Sequence, residues 1–234
     1  MLNVGRIFFV NGLIGGGSPP AGKEYWNHNF PKGSPFVNAA KGVFASRQGG
    51  AYQEPKTFYT TYDFHPVRNH IKADYRWRRG YENAGVYGSA LTQYLDPRHH
   101  SLVFVTHSMG AAYSEGMMEK LKADGWFIHA AVHLNPFQPA YFRRSTPESR
   151  TIHYQNPDDP VTREVLRDYG DLAGILEPEL IPYLATESLV KGPGRVEGAI
   201  YVEYESGLSP PYVHASPEGD PATWTRIKQA DPGL

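Results

Sequence analysis

The stretch from Ser101 to Gly116 constrains the fold most, because it reads as a strand, a tight turn and a helix in direct succession. Four consecutive apolar residues, Leu102 to Val105, are typical of a strand that is buried on both faces. Ser-Met-Gly follows, and small and apolar residues then recur at helical spacing. The pattern therefore predicts that Ser108 lies at the corner, at the carboxyl edge of a sheet and at the N-terminus of a helix.

The five residues 106–110, Thr-His-Ser-Met-Gly, carry a resemblance to a known family. They resemble the nucleophile elbow of serine lipases and esterases of the α/β-hydrolase superfamily, whose motif is Gly-x-Ser-x-Gly. Thr106 stands where the first glycine is usual, and Gly110 matches the second. The resemblance implies that Ser108 is a nucleophile and that the N–H of Met109 belongs to an oxyanion hole. The alternative is a structural serine in a strand-to-helix turn.

Further apolar runs of strand length alternate with helical patterns along the chain. Strands are predicted at 7–10, 57–62, 126–134, 151–155 and 199–204, and helices after Ser34, at 80–95 and near Trp224. This alternation predicts one α/β domain over residues 1–234, with a mostly parallel sheet of about six strands flanked by helices. By resemblance, it is a minimal α/β-hydrolase fold that lacks the first two strands.

Two long connections fall outside these elements. Residues 13–56 are rich in Gly, Pro and aromatic residues, and we expect a mostly irregular loop that either forms a wall of the site or packs its aromatics onto the core. Residues 162–198 show helical spacing broken by Pro178 and Pro182, which suggests an inserted cap. The glycines at 15–17 match neither a P-loop nor a dinucleotide fingerprint.

In the family, a His-Gly-x segment after an earlier strand provides the second oxyanion N–H. Asn11-Gly12-Leu13 occupies that place here, so the resemblance implies the N–H of Leu13 as the donor. Asn11 replaces the usual histidine, but the donor is a main-chain group and does not depend on that side chain. The alternative is a merely flexible glycine loop.

Chain order selects the remaining candidates for a triad, since this fold presents Ser, acid and His in that order. His214 is the last histidine and follows the last predicted strand, so we expect it to be the general base. The segment 156–161, Asn-Pro-Asp-Asp-Pro-Val, resembles the family's acid loop and aligns Asp159. Asp158 remains a rival, and the alternative is that both aspartates only cap the following helix.

The other histidines are expected to be structural. His107 neighbours Ser108, but the elbow geometry should point its side chain elsewhere. His129 and His133 are predicted to share one face of a strand and to pack in the core. No third ligand stands near them, so no metal is expected, and no cofactor motif is present.

Composition limits the partners. Lys plus Arg (23) nearly balances Asp plus Glu (24), and no basic cluster exceeds Arg76, Arg78 and Arg79, so neither nucleic acid nor a polyanionic substrate is expected. The chain has no cysteine, which excludes disulfides, a thiolate nucleophile and a cysteine-ligated metal and leaves the redox compartment open. It has no apolar run of membrane-spanning length and no signal-peptide pattern, so we expect a soluble protein. Its start on a core strand also fits a fragment of a longer, exported protein.

These features predict a serine hydrolase that cleaves small-molecule or lipid esters with aliphatic acyl groups. Thioesters and lactones require the same residues, and a catalytically silent interaction module with this fold is the alternative from another class. The runs at 135–138 and 154–161 also resemble, more weakly, hydrolase-like C-terminal domains of RHS-type repeat proteins. That similarity implies an effector domain.

Overall fold

The structure is a computed structural model, and it describes only part of the chain. The described residues are 2–12, 22–27, 34–48, 51–60, 73–137, 144–145, 150–157, 159, 198–205, 207 and 219–234. The predicted donor Leu13, the rival acid Asp158, the predicted base His214 and the predicted cap 162–198 lie outside these residues.

The described part of the chain contains eight strands and five helices. The strands are β1 (Asn3–Val10), β2 (Ser46–Gln48), β3 (Ala51–Gln53), β4 (Lys56–Tyr59), β5 (His100–His107), β6 (Phe127–Leu134), β7 (Arg150–Gln155) and β8 (Ile200–Glu203). The helices are α1 (Lys23–Asn27), α2 (Pro35–Val43), α3 (Ala73–Leu91), α4 (Gly110–Ala123) and α5 (Thr223–Ala230).

Six of the strands form one sheet in the order β4-β1-β5-β6-β7-β8, and every neighbouring pair is parallel. Helices cover both faces, as parallel strands require. One core lies between the sheet and α3 and α4, and the other lies between the sheet and α2 and α5. The predicted six-stranded, mostly parallel α/β sheet is therefore confirmed.

Helices α3 and α4 approach each other backbone to backbone. A Cβ at Gly80 of α3 would overlap the main-chain oxygen of Tyr113, and a Cβ at Gly116 of α4 would overlap that of Trp77. Only glycine permits this spacing, because any side chain at either position would push the helices apart. The close contact seats α4, and hence its N-terminus after Ser108, firmly against α3.

The structure corrects the predicted bounds of three elements, of which the first is the strand predicted at 7–10, which spans Asn3–Val10. The helix predicted at 80–95 spans Ala73–Leu91, and the strand predicted at 57–62 is described as Lys56–Tyr59. The first turns of α3 bury Ala73 and Arg76. Because arginine is not apolar, its burial at position 76 cannot be read from the hydrophobic pattern, and that pattern does not indicate the first turns of the helix.

The connection predicted to be mostly irregular also contains more regular structure than expected. Besides α2, which begins at Pro35 after the capping residue Ser34 as predicted, it contains α1 and the antiparallel hairpin β2–β3. The unexpected elements α1, β2 and β3 have only three to five residues each, too few for a periodic pattern to identify them.

The prediction that His129 and His133 share one face of their strand is wrong. The pairing of β5 with β6 shifts between Leu102↔Ile128 and Val103↔Ala130, which leaves His129 as an extra residue in a bulge. His129 then packs edge-on against Phe44 under α2, whereas His133 bonds to Glu115 of α4 on the other face.

The strand order reverses between β1 and β5. From β1 the chain moves outward to β4, and it then returns to the other side of β1 to form β5. In open α/β sheets the connections leaving two such strands diverge, and a crevice opens at their carboxyl ends. Gly12 follows β1 and Ser108 follows β5, so both lie at this position.

Candidate functional site

Ser108 occupies a strained corner between β5 and α4. Its φ angle is +51°, a region that residues other than glycine rarely adopt. Its N–H donates to the main-chain oxygen of Leu134 at 3.0 Å, and its carbonyl accepts from the N–H groups of Ala111 and Phe137 at 3.2 and 3.1 Å. The loop after β6 thus holds the corner in its unusual conformation.

The loop after β1 covers Ser108. A side chain at position 12 would place its Cβ only 2.8 Å from Ser108 Cβ, so glycine is required for this approach. The neighbouring Asn11 is buried, and its amide donates to the carbonyl of Gly12 at 2.9 Å. The main chain immediately before Leu13 therefore lies against the Ser108 side chain.

Asn135 connects the loops at the carboxyl ends of the next three strands. It has a φ of +40°, which asparagine tolerates better than most residues. Its N–H donates to the Tyr154 carbonyl at 2.8 Å, its Oδ1 accepts from the N–H of Asn156 at 3.0 Å, and its Nδ2 donates to Tyr204 Oη at 2.9 Å. Sequence reasoning did not identify this role of Asn135, because its partners are distant in the chain.

Asp159, the aligned acid, lies on the loop that Asn135 holds. Its side chain is fully buried, and its N–H donates to the carbonyl of Asn156 at 3.1 Å. A buried carboxylate is stable only when other groups compensate its charge or its hydrogen-bonding capacity. Met109, the aligned oxyanion donor, is buried at the N-terminus of α4 beside Ser108.

Solved structures of other proteins share this architecture. The product of the lin2722 gene of Listeria innocua matches over 99% of this chain and 95% of its own, with 11% identity and a TM-score of 0.50. The chain has a minimal α/β-hydrolase fold. This fold explains why the corner at Ser108 lies at the point where the strand order reverses.

Two solved structures of named enzymes also match. At such low sequence identity, the similarity concerns the fold and not the function. The type II thioesterase YbtT of the yersiniabactin pathway matches over 98% of this chain and 94% of its own, with 10% identity and a TM-score of 0.44. An esterase/lipase from an uncultured bacterium matches over 98% and 75%, with 11% identity and a TM-score of 0.47. No family model and no curated protein sequence matches the chain.

A chain of buried polar groups lies beneath the corner at Ser108. Thr106 Oγ1 contacts His133 Nδ1 at 2.7 Å, and His133 Nε2 contacts Glu115 Oε1 at 2.9 Å. The other carboxylate oxygen of Glu115 accepts from the N–H of Ser145 at 2.6 Å. The threonine that replaces the motif glycine is therefore tolerated because its hydroxyl has a partner across the sheet.

Arg76 supports the loop after β6 from the side of α3. Although it belongs to the basic cluster of the sequence, it is buried, and its guanidinium lies 5.0 Å from the centre of the Phe137 ring. One of its nitrogens donates to the Phe137 carbonyl at 3.5 Å. Because the N–H of Phe137 bonds to Ser108, this arginine helps to fix the corner.

The described residues also bear on membrane and metal binding. In the described ranges, no helix is long and apolar enough to span a bilayer. Within the same ranges, no three acidic or histidine side chains converge in a way that could hold a metal ion.

Proposed function

We propose that the protein is a serine hydrolase that cleaves carboxylic esters, with Ser108 as the nucleophile, His214 as the general base and Asp159 as the triad acid. The main-chain N–H groups of Met109 and Leu13 stabilise the oxyanion. One observation carries the proposal: Ser108 has a φ of +51° at a strand-to-helix corner where the strand order reverses.

The strained backbone has a physical purpose in this proposal. Backbone strain persists at functional sites because the surrounding structure compensates its cost, and here three main-chain hydrogen bonds hold the corner. The corner also places Ser108 at the N-terminus of α4, a helix of 14 residues whose dipole favours negative charge there. An oxyanion forming beside Ser108 would be stabilised by that field.

The reaction follows from the chemistry of these groups. Ser108 Oγ attacks the ester carbonyl carbon while His214 accepts its proton, and the carbonyl electron pair moves to oxygen. As the intermediate collapses, the bond to the alcohol breaks and His214 returns the proton to the alcohol. Water, deprotonated by His214, then attacks the acyl carbon; as this second intermediate collapses, the Ser108 Oγ–C bond breaks, His214 returns the proton to Oγ, and the acid leaves. Asp159 orients the imidazole and stabilises its charged form.

Uncharged aliphatic esters are the proposed substrates. The apolar groups expected around Ser108 come from segments 13–56 and 162–198. The nearly neutral overall charge supplies no basic surface that would attract a polyanionic substrate. Each acyl methylene that such a pocket buries contributes about 0.8 kcal/mol. Hydrolysis of p-nitrophenyl esters should then rise from acetate towards butyrate or hexanoate, and a steady fall from acetate onward would contradict an open acyl pocket.

Labelling with a fluorophosphonate tests the nucleophile directly. The wild-type chain should be labelled on Ser108 and should hydrolyse p-nitrophenyl butyrate, whereas Ser108→Ala should lose both properties while remaining folded. Ser101→Ala is the matched control, because Ser101 is a buried serine on β5, the strand that leads to Ser108, and its hydroxyl donates to the carbonyl of Asn3 at 3.2 Å. A folded Ser108→Ala protein that retains most of its esterase activity would refute the proposal.

The acid can be assigned by comparing two isosteric changes. An Asp→Asn change in a triad costs about 10⁴-fold in kcat, since the amide favours the wrong imidazole tautomer. Asp159→Asn should show a loss of this order, and Asp158→Asn should retain activity within a few fold. The reverse result would assign the role to Asp158.

A further inference from the structure

Tyr25 of α1 lies beside Ser108. It is one of the aromatic residues of the connection 13–56, for which the sequence alone indicates either a wall of the site or packing onto the core. A Cβ at Gly12 would contact both groups at once, at 2.8 Å from Ser108 Cβ and 2.9 Å from Tyr25 Oη. The phenol oxygen and the serine Cβ therefore both border the small space that a side chain at position 12 would fill. The position that Gly12 leaves open is shared by both side chains.

His107 holds the phenol in this place. Its Nδ1 lies 2.5 Å from Tyr25 Oη, and the same hypothetical Cβ at Gly12 would be 3.3 Å from that nitrogen. His107 is buried, so this imidazole faces the phenol inside the protein. The prediction that the His107 side chain points away from the site is therefore corrected: its ring contacts Tyr25, whose hydroxyl lies near Ser108.

The ring of Tyr25 is anchored by apolar packing. It lies edge-on to Trp26 at 5.5 Å between ring centres, and Trp26 is itself buried against Phe9 of β1 at 5.1 Å. Tyr25 itself is only half-buried, so part of its side chain reaches the surface. A phenol that is held by the core on one side and accessible on the other can contact a bound molecule without rearranging.

We propose that Tyr25 is a catalytic residue whose hydroxyl donates a hydrogen bond to the oxyanion formed when Ser108 attacks the substrate, and that His107 is its positioning residue. This inference rests on the proposed function. During attack, the new Oγ–C bond forms, the proton of Ser108 passes to His214 and the carbonyl electron pair becomes the oxyanion. The phenolic hydrogen bond strengthens as that negative charge develops, and it weakens when the pair returns to expel the alcohol.

The single phenolic proton determines the protonation of His107. A phenol can donate to only one acceptor. If Tyr25 donates to the oxyanion, its oxygen must accept from His107, and this requires a proton on His107 Nδ1. Nitrogen NMR of the protein labelled on Ser108 with a fluorophosphonate, whose phosphoryl oxygen takes the place of the oxyanion, should then show a protonated Nδ1 in His107. An unprotonated Nδ1 in this adduct would contradict the assignment.

Tyr25→Phe removes the hydroxyl and retains the ring. Removal of one oxyanion donor lowers kcat by about 10²- to 10³-fold, so kcat for p-nitrophenyl butyrate should fall by about this factor while KM changes little. Tyr113→Phe is the matched control: that tyrosine also bonds through its hydroxyl, at 3.0 Å to Asn83 Nδ2, but on the face towards α3. It should retain kcat within about twofold once the folded fraction is equal.

The outcomes separate this inference from the proposed function. If Ser108 is labelled and required while Tyr25→Phe keeps its full kcat, the role of Tyr25 is wrong and the proposed function stands. If the wild-type protein is neither labelled nor active on esters, the proposed function fails and the inference fails with it.

A double-variant cycle tests the positioning role. His107→Leu should lower kcat about as much as Tyr25→Phe, and the double variant should be no worse than either, because both changes remove the same interaction. His107→Asn, whose amide can donate from near the position of Nδ1, should recover part of kcat. Additive losses, or an unchanged kcat in His107→Leu, would overturn the positioning role.

Discussion

Gly110 lies directly against the main-chain oxygen of Asn11: a Cβ at Gly110 would be 2.5 Å from that oxygen and 2.8 Å from the oxygen of Val10. The first residue of α4 and the end of β1 therefore meet with no space for a side chain. This contact brings the loop of the proposed Leu13 donor next to the proposed nucleophile. The motif glycine is thus required by a neighbouring strand as well as by its own turn.

Gly110→Ala should reduce both stability and activity. The new methyl group meets main-chain atoms that cannot rotate away, so we expect a cost of about 1–3 kcal/mol and displacement of the loop after β1 from Ser108. Chemical denaturation and p-nitrophenyl butyrate kinetics measure the two effects. Gly88→Ala is the control, because its Cβ would find only ordinary contacts, 3.5 Å to Leu121 and 3.6 Å to Asp124. Equal behaviour of the two variants would contradict the close approach.

The contact between α3 and α4 predicts opposite effects for glycines of the same helix. Gly80→Ala should destabilise the protein by about 1–3 kcal/mol or more, because the methyl group overlaps the carbonyl of Tyr113. Gly85→Ala should stabilise it by about 1 kcal/mol, since its Cβ would meet nothing within 4 Å and alanine favours helix. Denaturant midpoints of the two variants should shift in opposite directions, and a shift in the same direction would refute the interpretation.

Two histidines should differ in the kind of defect that they cause. His214→Ala should lower kcat as severely as Ser108→Ala, because it removes the proposed base. His133→Ala should mainly lower stability, because His133 is buried between Thr106 and Glu115 and does not reach a substrate. Activity per folded molecule distinguishes the cases. An essential His133 with a dispensable His214 would show that the assignment by chain order is wrong.

His153 should make the protein less stable in mild acid. Burial first, and then the charges of His133 and Arg144, hold the pKa of His153 well below its ordinary value of 6.5. Below that value the unfolded chain takes up a proton that the folded protein refuses, so the free energy of unfolding falls as pH decreases. One such group contributes a slope of up to about 1.4 kcal/mol per pH unit.

The variant His153→Phe isolates this contribution. A phenyl ring can replace the imidazole between the rings of His133 and Tyr201, each 5.1 Å away between ring centres. Denaturation curves from pH 7 to pH 5 should lose stability less steeply than in the wild type, whereas above pH 7 the two proteins should run parallel. Identical slopes below pH 6.5 would show that His153 takes no part in the pH dependence.

Local periodicity in the sequence was sufficient for the six strands of the parallel sheet, the α/β class and the corner at Ser108. Apolar runs of strand length report burial on both faces, and that signal requires no knowledge of the partners. It failed where buried positions are not apolar, as at Arg76 in α3, and where an element is little more than one period long, as is α1 with its five residues. The predicted donor Leu13 and base His214 come from resemblance and chain order, and both remain predictions.

The sequence by itself determined the order of elements and the tight turn that carries Ser108, because these depend on residues adjacent in the chain. Only the tertiary structure decided which side chains surround that serine. Gly12, Tyr25 and Asn135 lie far from one another in the sequence, and strand register and the close approach of backbones bring each to its partners. The bulge at His129 shows the same dependence, since one extra residue in a strand reverses the face of all that follow.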